Sequence, residues 1–431
     1  MNKNISKFGS IGAACAMAMF ASHANAAGFI LQEQSVKASG RAFAGEVAVA
    51  DDVSVMFYNP AGLTALDGAQ ATAGAYGIIP SAKLDDGGSS LAVGPFPSMP
   101  VGGDASGQGF SAQPAGYIYA AAPVSDDLWL GMAVTVPFGL KNSYETDYFG
   151  RYDSTKSKLI ALDVAPTVSY RLSERISVGG SVNFQRVDVT LLSAIPNPLA
   201  PGGPSPASDG SLSVKGDDWS MGFTAGVLFQ AMEDLRIGIS YRSGIDHRLK
   251  GTSVVELAGM TIAQDVEADL NLPDTLSAGF AYDLTQKTTL LGQVNYFGWK
   301  SFDEVRLEFA DGSEAATTED FRDTWGVSVG LQHQLNESWT LRTGIEYDKT
   351  PTRDAYRSTL IPDTDRLWTA VGATYNFSGR FSVDFSYAHM FANSEPINRV
   401  NAFPLVSTTV ETVGKTKTSS NVLGFGLRSS F

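Results

Sequence analysis

From about residue 158 onward the chain alternates strictly between two kinds of side chain, and this pattern constrains the fold more than any other feature. In Phe381 to Ala388, Phe381, Val383, Phe385 and Tyr387 alternate with Ser382, Asp384, Ser386 and Ala388. In Trp339 to Tyr347, Trp339, Leu341, Thr343, Ile345 and Tyr347 alternate with residues that include Thr340, Arg342, Gly344 and Glu346. Ile160 to Arg171 and Trp325 to Gln332 behave alike. Period two with one apolar face is a β-strand. Asp, Glu and Arg on the second face of strand after strand do not suit a sandwich core, but they suit a polar lumen with lipid outside. No stretch after the N-terminus offers the ~18 apolar residues that a spanning helix needs. A closed barrel is then the remaining way across a membrane, since lipid tolerates no unpaired strand edge.

The connections alternate in length. Short polar turns fall at Ser125-Asp126-Asp127, Ser173-Glu174, Met232-Glu233-Asp234, Thr285-Gln286-Lys287, Asn336-Glu337 and Ser378-Gly379-Arg380. Longer loops are expected at 81–112, 141–157, 193–217, 248–263, 309–320, 350–364 and 394–417. Six turns and seven loops join 14 antiparallel strands between Ala71 and Phe431. Short turns on one side and long loops on the other form the outer-membrane pattern. Trp129, Trp219, Trp325, Trp339 and Trp368 fall near strand ends and are expected in an aromatic girdle.

The first 26 residues have the form of a signal peptide: Lys3 and Lys7, an apolar run from Ile11 to Ala21, and the cleavage site Ala24-Asn25-Ala26. Its removal takes away the single cysteine, Cys15, and leaves 29 of the 31 basic residues against 45 acidic ones. That balance argues against nucleic acid as a partner. Residues 27–67 lack strand alternation and carry Asn59-Pro60, a turn initiator. Short helical pieces are expected around 45–52 and 60–66. A barrel of 14 strands has a lumen too wide for its own side chains to fill, so this segment is expected to plug the barrel of residues 68–431 rather than trail as a tail.

Several motifs resemble one family. Ala27-Gly28-Phe29, Gly40-Arg41-Ala42-Phe43-Ala44-Gly45-Glu46, Ala50-Asp51-Asp52 and Asn59-Pro60-Ala61 are similar to the N-terminal hatch of FadL-type long-chain fatty acid transporters and their toluene- and xylene-associated relatives. Leu270-Asn271-Leu272-Pro273 and Ile361 to Trp368 continue the likeness. The resemblance implies an all-β, 14-stranded monomeric barrel with a hatch, which takes up hydrophobic small molecules without an energy source. It implies that Phe29 lies at an inner ligand pocket, that Asn59, Pro60 and Ala61 lie near a gap in the wall, and that the third strand is kinked beside that gap. That strand is expected over Leu128 to Leu140. Its Pro137 marks either a local break or merely the strand's outer end. The last strand, with Leu423, Phe425, Leu427 and terminal Phe431, resembles the signal that barrel-assembly machinery reads. Membrane lipid and lipopolysaccharide are the surroundings such a chain expects.

One departure bears on the substrate. The fatty-acid members hold the ligand carboxylate with basic residues near positions that correspond to Ser193 and Thr317, neither of which is basic. Arg186 and Arg322 stand nearby as possible carboxylate partners, and an aromatic or aliphatic hydrocarbon becomes the competing ligand. A general porin and an outer-membrane lipid hydrolase are the remaining alternatives. After the signal segment the only histidines are His247, His333 and His389, and there is no HExxH, CxxC or phosphate-loop motif. No cofactor or metal is expected. Asp163, Glu346, Asp384, Arg171 and Arg342 are expected to form ion pairs in the lumen.

Overall fold

The computed structural model describes residues 28–431; the expected signal peptide, Cys15 and Ala27 lie outside them. Fourteen antiparallel strands form one closed sheet. In chain order they are β1 (Gln70–Asp86), β2 (Gln113–Pro123), β3 (Leu128–Ser143), β4 (Lys156–Arg171), β5 (Ile176–Ile195) and β6 (Gly210–Met232). Four interrupted strands follow: β7 (Leu235–Arg242 and Ile245–Leu257), β8 (Met260–Leu272 and Thr275–Thr285), β9 (Thr288–Phe297 and Glu304–Phe309) and β10 (Glu314–Thr318 and Thr324–Gln334). The last four are β11 (Trp339–Asp348), β12 (Arg366–Asn376), β13 (Phe381–Phe403) and β14 (Thr408–Ser430). The barrel closes where β1 pairs with β14, from Gln70 opposite Ser430 to Asp86 opposite Gly414.

All six short turns fall where the alternation stops. Two of the expected loops do not. Residues 248–263 are almost entirely strand, with Leu257 opposite Met260 in a tight hairpin, and 394–417 are mostly β13 and β14. A membrane strand needs about 9–11 residues, whereas β6, β13 and β14 each run for 23. In the outer half of β14 the outward face turns polar, as at Thr409, Glu411 and Lys415, while the inward face still buries Thr408, Val410 and Thr412, so the apolar–polar contrast fades although the strand continues.

The outward faces carry the apolar band, with Val327, Val329, Leu331, Phe385, Phe425 and Leu427 all exposed. Trp219, Trp325 and Trp339 are exposed on that face. Trp129 and Trp368 are not part of the girdle: they are 3% and 1% exposed and point inward. The cause is phase, because Leu130 and Leu367 beside them take the outward positions.

Residues 28–66 are buried almost throughout against the inner face of the wall. They contain α1 (Val36–Ser39), α2 (Glu46–Val49), α3 (Val55–Tyr58) and a 3₁₀ turn over Pro60–Ala65. Ser35 caps α1 and Asn59 caps the 3₁₀ turn, each accepting a backbone N–H. The segment bonds to strands around the barrel. Val36 N–H donates to Tyr117 on β2 at 3.0 Å, Thr64 donates to Ser177 on β5 at 2.7 Å, and Asn59 Nδ2 donates to Val227 O on β6 at 3.0 Å. Arg41 donates to Gln332 on β10 and Gln32 to Glu346 on β11, both at 3.1 Å. Backbone approaches backbone where the wall has glycine: a Cβ on Gly344 would overlap the Arg41 carbonyl, and one on Gly238 the Val47 carbonyl.

Several buried charges of the N-terminal segment are paired locally. Arg41 binds Glu46 at 2.6 Å and Asp51 at 2.9 Å, and Lys37 binds Asp52 at 3.2 Å. The five expected lumen charges do not form one network. Arg342 reaches Asp51 at 3.6 Å, Asp163 pairs with Arg242, Arg171 donates to Thr64 O, Asp384 accepts from Thr374, and Glu346 accepts from Gln32.

Candidate functional site

The third strand breaks at Pro137. Pairing with β4 runs from Leu128 opposite Tyr170 to Thr135 opposite Asp163, then skips to Phe138 opposite Ala161. Proline cannot donate to a ladder, and Val136 and Pro137 together stand against Leu162 alone, a bulge of one extra residue. On the other edge the pairing with β2 ends at Val134 opposite Ile118. From there the N-terminal segment replaces the neighbouring strand. Leu31 N–H donates to Pro137 O at 2.8 Å, Gly139 N–H donates to Phe29 O at 2.9 Å, and Gln34 Nε2 donates to Val136 O at 2.7 Å. Pro137 thus sits at a break in the wall and not at the strand's outer end.

This pairing fixes Phe29, which is 1% exposed. Its ring lies 4.8 Å from Trp299, 5.4 Å from Phe302 and 6.2 Å from Phe138 between centroids, within the range of favourable aromatic pairs. Trp299, Phe302 and Phe321 occupy the interruptions of β9 and β10, where the chain leaves the pleat and turns these rings inward. Gly28 N–H donates to Asp363 at 3.0 Å, and Asp363 accepts from Arg366 at 2.5 Å, so Gly28 is tied to the loop before β12.

Phe29 borders an apolar cavity whose empty volume, counted with the space open to solvent, is about 740 Å³. Leu140, Leu159, Val189, Val214, Leu249, Val266, Leu270, Phe302, Leu307, Leu360 and Ile361 line it. Lys158, Lys215, Glu267 and Asp269 also border it, but they hold the outward phase between inward-facing Leu159, Val214, Ala268 and Leu270.

The two arginines singled out from sequence do not reach this space. Arg186 lies on the outward face, half exposed, and pairs with Asp217 at 3.2 Å. The sequence carried the signal for that: Arg186 shares its phase with Val182 and Phe184, which face lipid. Arg322 donates to Thr350 O at 3.3 Å and is not among the cavity residues. Arg186→Gln is therefore expected to leave uptake within about twofold of wild type, since exposed pairs contribute little; a tenfold loss of uptake would reinstate it as a ligand partner. Asn59 donates to Val47 O at 2.7 Å and to Val227 O, and Ala61 O accepts from Ser169 of β4 at 3.2 Å. Asn59, Pro60 and Ala61 thus dock on β4 to β6 rather than at the cavity.

The histidines are spoken for. His247 bridges Asp218 at 3.0 Å and Gln185 at 2.9 Å, His333 contacts Thr288 and His389 contacts Asn421. None is paired with a serine or cysteine nucleophile among the described residues.

Above the membrane, Glu319 is buried and accepts from Arg399 at 3.1 Å, while its second oxygen has no partner. Burial lifts its carboxyl from 4.5 to about 8 against the pull of Arg399, with Asp153 adding to the rise. The folded state then holds a proton that the unfolded chain loses, so stability at this contact falls as pH rises from the unfolded value to about 8. Amide exchange over 319–323, corrected for intrinsic rates, is expected to be slower at pH 5.5 than at pH 8, and Glu319→Gln is expected to flatten the difference. An unchanged profile in that variant would assign the effect elsewhere.

The family described as outer membrane protein transport protein (OMPP1/FadL/TodX) matches residues 17–431. The chain belongs to the FadL family. It is an outer-membrane channel for hydrophobic compounds and not an enzyme. Outer membrane protein P1 of Haemophilus influenzae is 32% identical over 416 residues, covering 89% of this chain and 90% of that protein. The long-chain fatty acid transport protein of Escherichia coli O6:H1 is 28% identical over 415 residues, covering 88% and 90%. Among solved structures, a FadL homologue of Pseudomonas aeruginosa has a TM-score of 0.84 at 23% identity, covering 94% of this chain and all of that one. The toluene transporter TodX of Pseudomonas putida has a TM-score of 0.69 at 16% identity, with the same coverage. At these identities the structural likeness concerns the fold.

Proposed function

We propose that this FadL-type channel takes up long-chain fatty acids passively, by holding the chain in the cavity against Phe29 and releasing it sideways at the break beside Pro137. The observation that carries the reading is the shared strand edge: the residue that borders the cavity also supplies the backbone that covers the broken β3. Movement of one segment then empties the cavity and opens the wall together. Residues 28–66 act as the hatch, and lipopolysaccharide and membrane lipid surround a monomeric barrel. Burying an acyl chain contributes about 0.8 kcal/mol per methylene, and sideways exit spares the solute a return to water. The similarity to the fatty acid transport protein of Escherichia coli supports this substrate class.

A second reading is an aromatic or aliphatic hydrocarbon, favoured by the outward phase of Lys158 and Lys215, the two lysines that border the cavity. An ionised carboxylate buried without a partner is strongly unfavourable, so a fatty acid must leave its head group at the cavity mouth or carry it protonated. The test is uptake of radiolabelled oleate beside toluene and hexadecane, in a strain lacking its own fatty acid barrel and complemented with this gene. Oleate uptake supports the first reading. Uptake of only the uncharged solutes overturns it in favour of the second.

A further inference from the structure

We propose that the outer face of β3 and β4 is a docking site for the phosphates of lipid A in the outer leaflet, placed beside the break in the wall. The inference rests on the outer-membrane location and not on which solute the channel carries.

Along the outward column of β4, Tyr170, Val168, Pro166, Val164, Leu162 and Ile160 follow one another at every second residue. At about 3.3 Å per residue and a tilt near 40°, that column spans roughly 25 Å, the height of the apolar band. The next outward positions on the long-loop side are Lys158 and Lys156. On β3, Lys141 is directly opposite Lys158 and Ser143 opposite Lys156. Three ammonium groups therefore gather on two adjacent strands, one step above the hydrocarbon. Like charges directly opposite in a sheet repel, and in a chain with a formal net charge of −14 such a group is conspicuous.

The neighbouring carboxylates do not neutralise it. Lys158 has Asp188 at 3.2 Å, in an exposed pair. Lys141 donates to the neutral Gln113 of β2 at 3.2 Å, and Lys156 has no ion pair among the described residues. Further round the rim the pattern is reversed: Arg248 alone is bound by Glu267, Asp269 and Glu308. Lysines without an ion pair among the described residues also stand elsewhere on the rim, where Lys83 of β1 lies opposite Lys417 of β14, but the group on β3 and β4 is the one set beside the wall break. Long lysine stems lie along the apolar column and lift the charge to the interface, which is the height of the lipid phosphates. The Lys141 to Gln113 bond crosses from β3 to β2 over the unpaired edges, so a phosphate held here also steadies the outer margin of the opening.

The experiment is native mass spectrometry and detergent-solution titration of the full barrel with three probes: diphosphoryl lipid A, the same lipid dephosphorylated, and inorganic phosphate. The variants are Lys141→Gln/Lys156→Gln/Lys158→Gln and, as a control on the paired side of the rim, Lys250→Gln. At roughly fivefold per lysine near an anionic surface, the triple variant is expected to lose on the order of a hundredfold in affinity for diphosphoryl lipid A. The control is expected to keep it, and raised salt to weaken wild-type binding. Heat-modifiable migration checks that the triple variant is folded; should it not fold, the single variants Lys141→Gln and Lys156→Gln are titrated instead and are each expected to bind more weakly. Equal binding by the folded variant, equal binding of the dephosphorylated lipid, or an equal effect of inorganic phosphate would each overturn the proposal.

Discussion

Replacing Gly238 and Gly344 together by valine is expected to push the N-terminal segment off the barrel wall and leave a conducting pore. Both glycines face inward, and a Cβ at either position would overlap a carbonyl oxygen of the segment, that of Val47 or of Arg41. Two overlaps at about 1–3 kcal/mol each shift the ratio of seated to displaced segment by on the order of a hundredfold. The wall itself has no need of these glycines for its own ladders, so the barrel is expected to assemble. Conductance in planar bilayers and sensitivity of the host cells to a large hydrophilic antibiotic such as vancomycin are the measurements. Both are expected to rise sharply over wild type. A folded double variant that stays closed would mean that residues 28–66 do not seal the lumen, and the hatch role would be withdrawn.

Phe29→Ala is expected to weaken binding of oleate to the purified barrel by roughly ten- to a hundredfold, the scale of an aromatic truncation in a packed site. The ring fills the space between Trp299, Phe302 and Phe138, and its loss leaves that border of the cavity open. The backbone pairing of Phe29 O with Gly139 N–H does not depend on the side chain, so β3 keeps its cover. Phe29→Leu is expected to retain most of the affinity, since it restores apolar volume without the edge contacts. Unchanged affinity in the alanine variant would remove Phe29 from the ligand site while leaving its backbone role intact.

The two predictions separate two functions proposed for one segment. The glycine variants test whether the contacts of Arg41 and Val47 with the inner wall close the lumen. The Phe29 variant tests ligand retention at the segment's first residues. A change in closure without a change in affinity, and the converse, would show that the two ends of residues 28–66 act separately.

Arg186 shows how far a local pattern reaches. Its phase was legible beside Val182 and Phe184, and following that phase places it outside the barrel, where it pairs with Asp217. Trp129 and Trp368 are harder. A tryptophan suits either face of a strand, and their inward direction follows from the large neighbours Leu130 and Leu367 taking the lipid side. The cavity's aromatic side was not legible, because Trp299, Phe302 and Phe321 stand in strand interruptions where no period exists.

What the sequence by itself determined is the barrel. Alternation, turn residues and strand count depend on neighbours along the chain and on the contrast between lipid and lumen, both of which are written locally. What only the tertiary structure decided is the site. The cavity joins residues from β3 to β9 with the loop before β12 and Phe29, and the break at Pro137 lies at an interrupted β2–β3 pairing only because β2 stops there and Phe29 to Leu31 take its place. Those contacts span more than a hundred residues, and no local period encodes which distant segment will complete an unpaired edge.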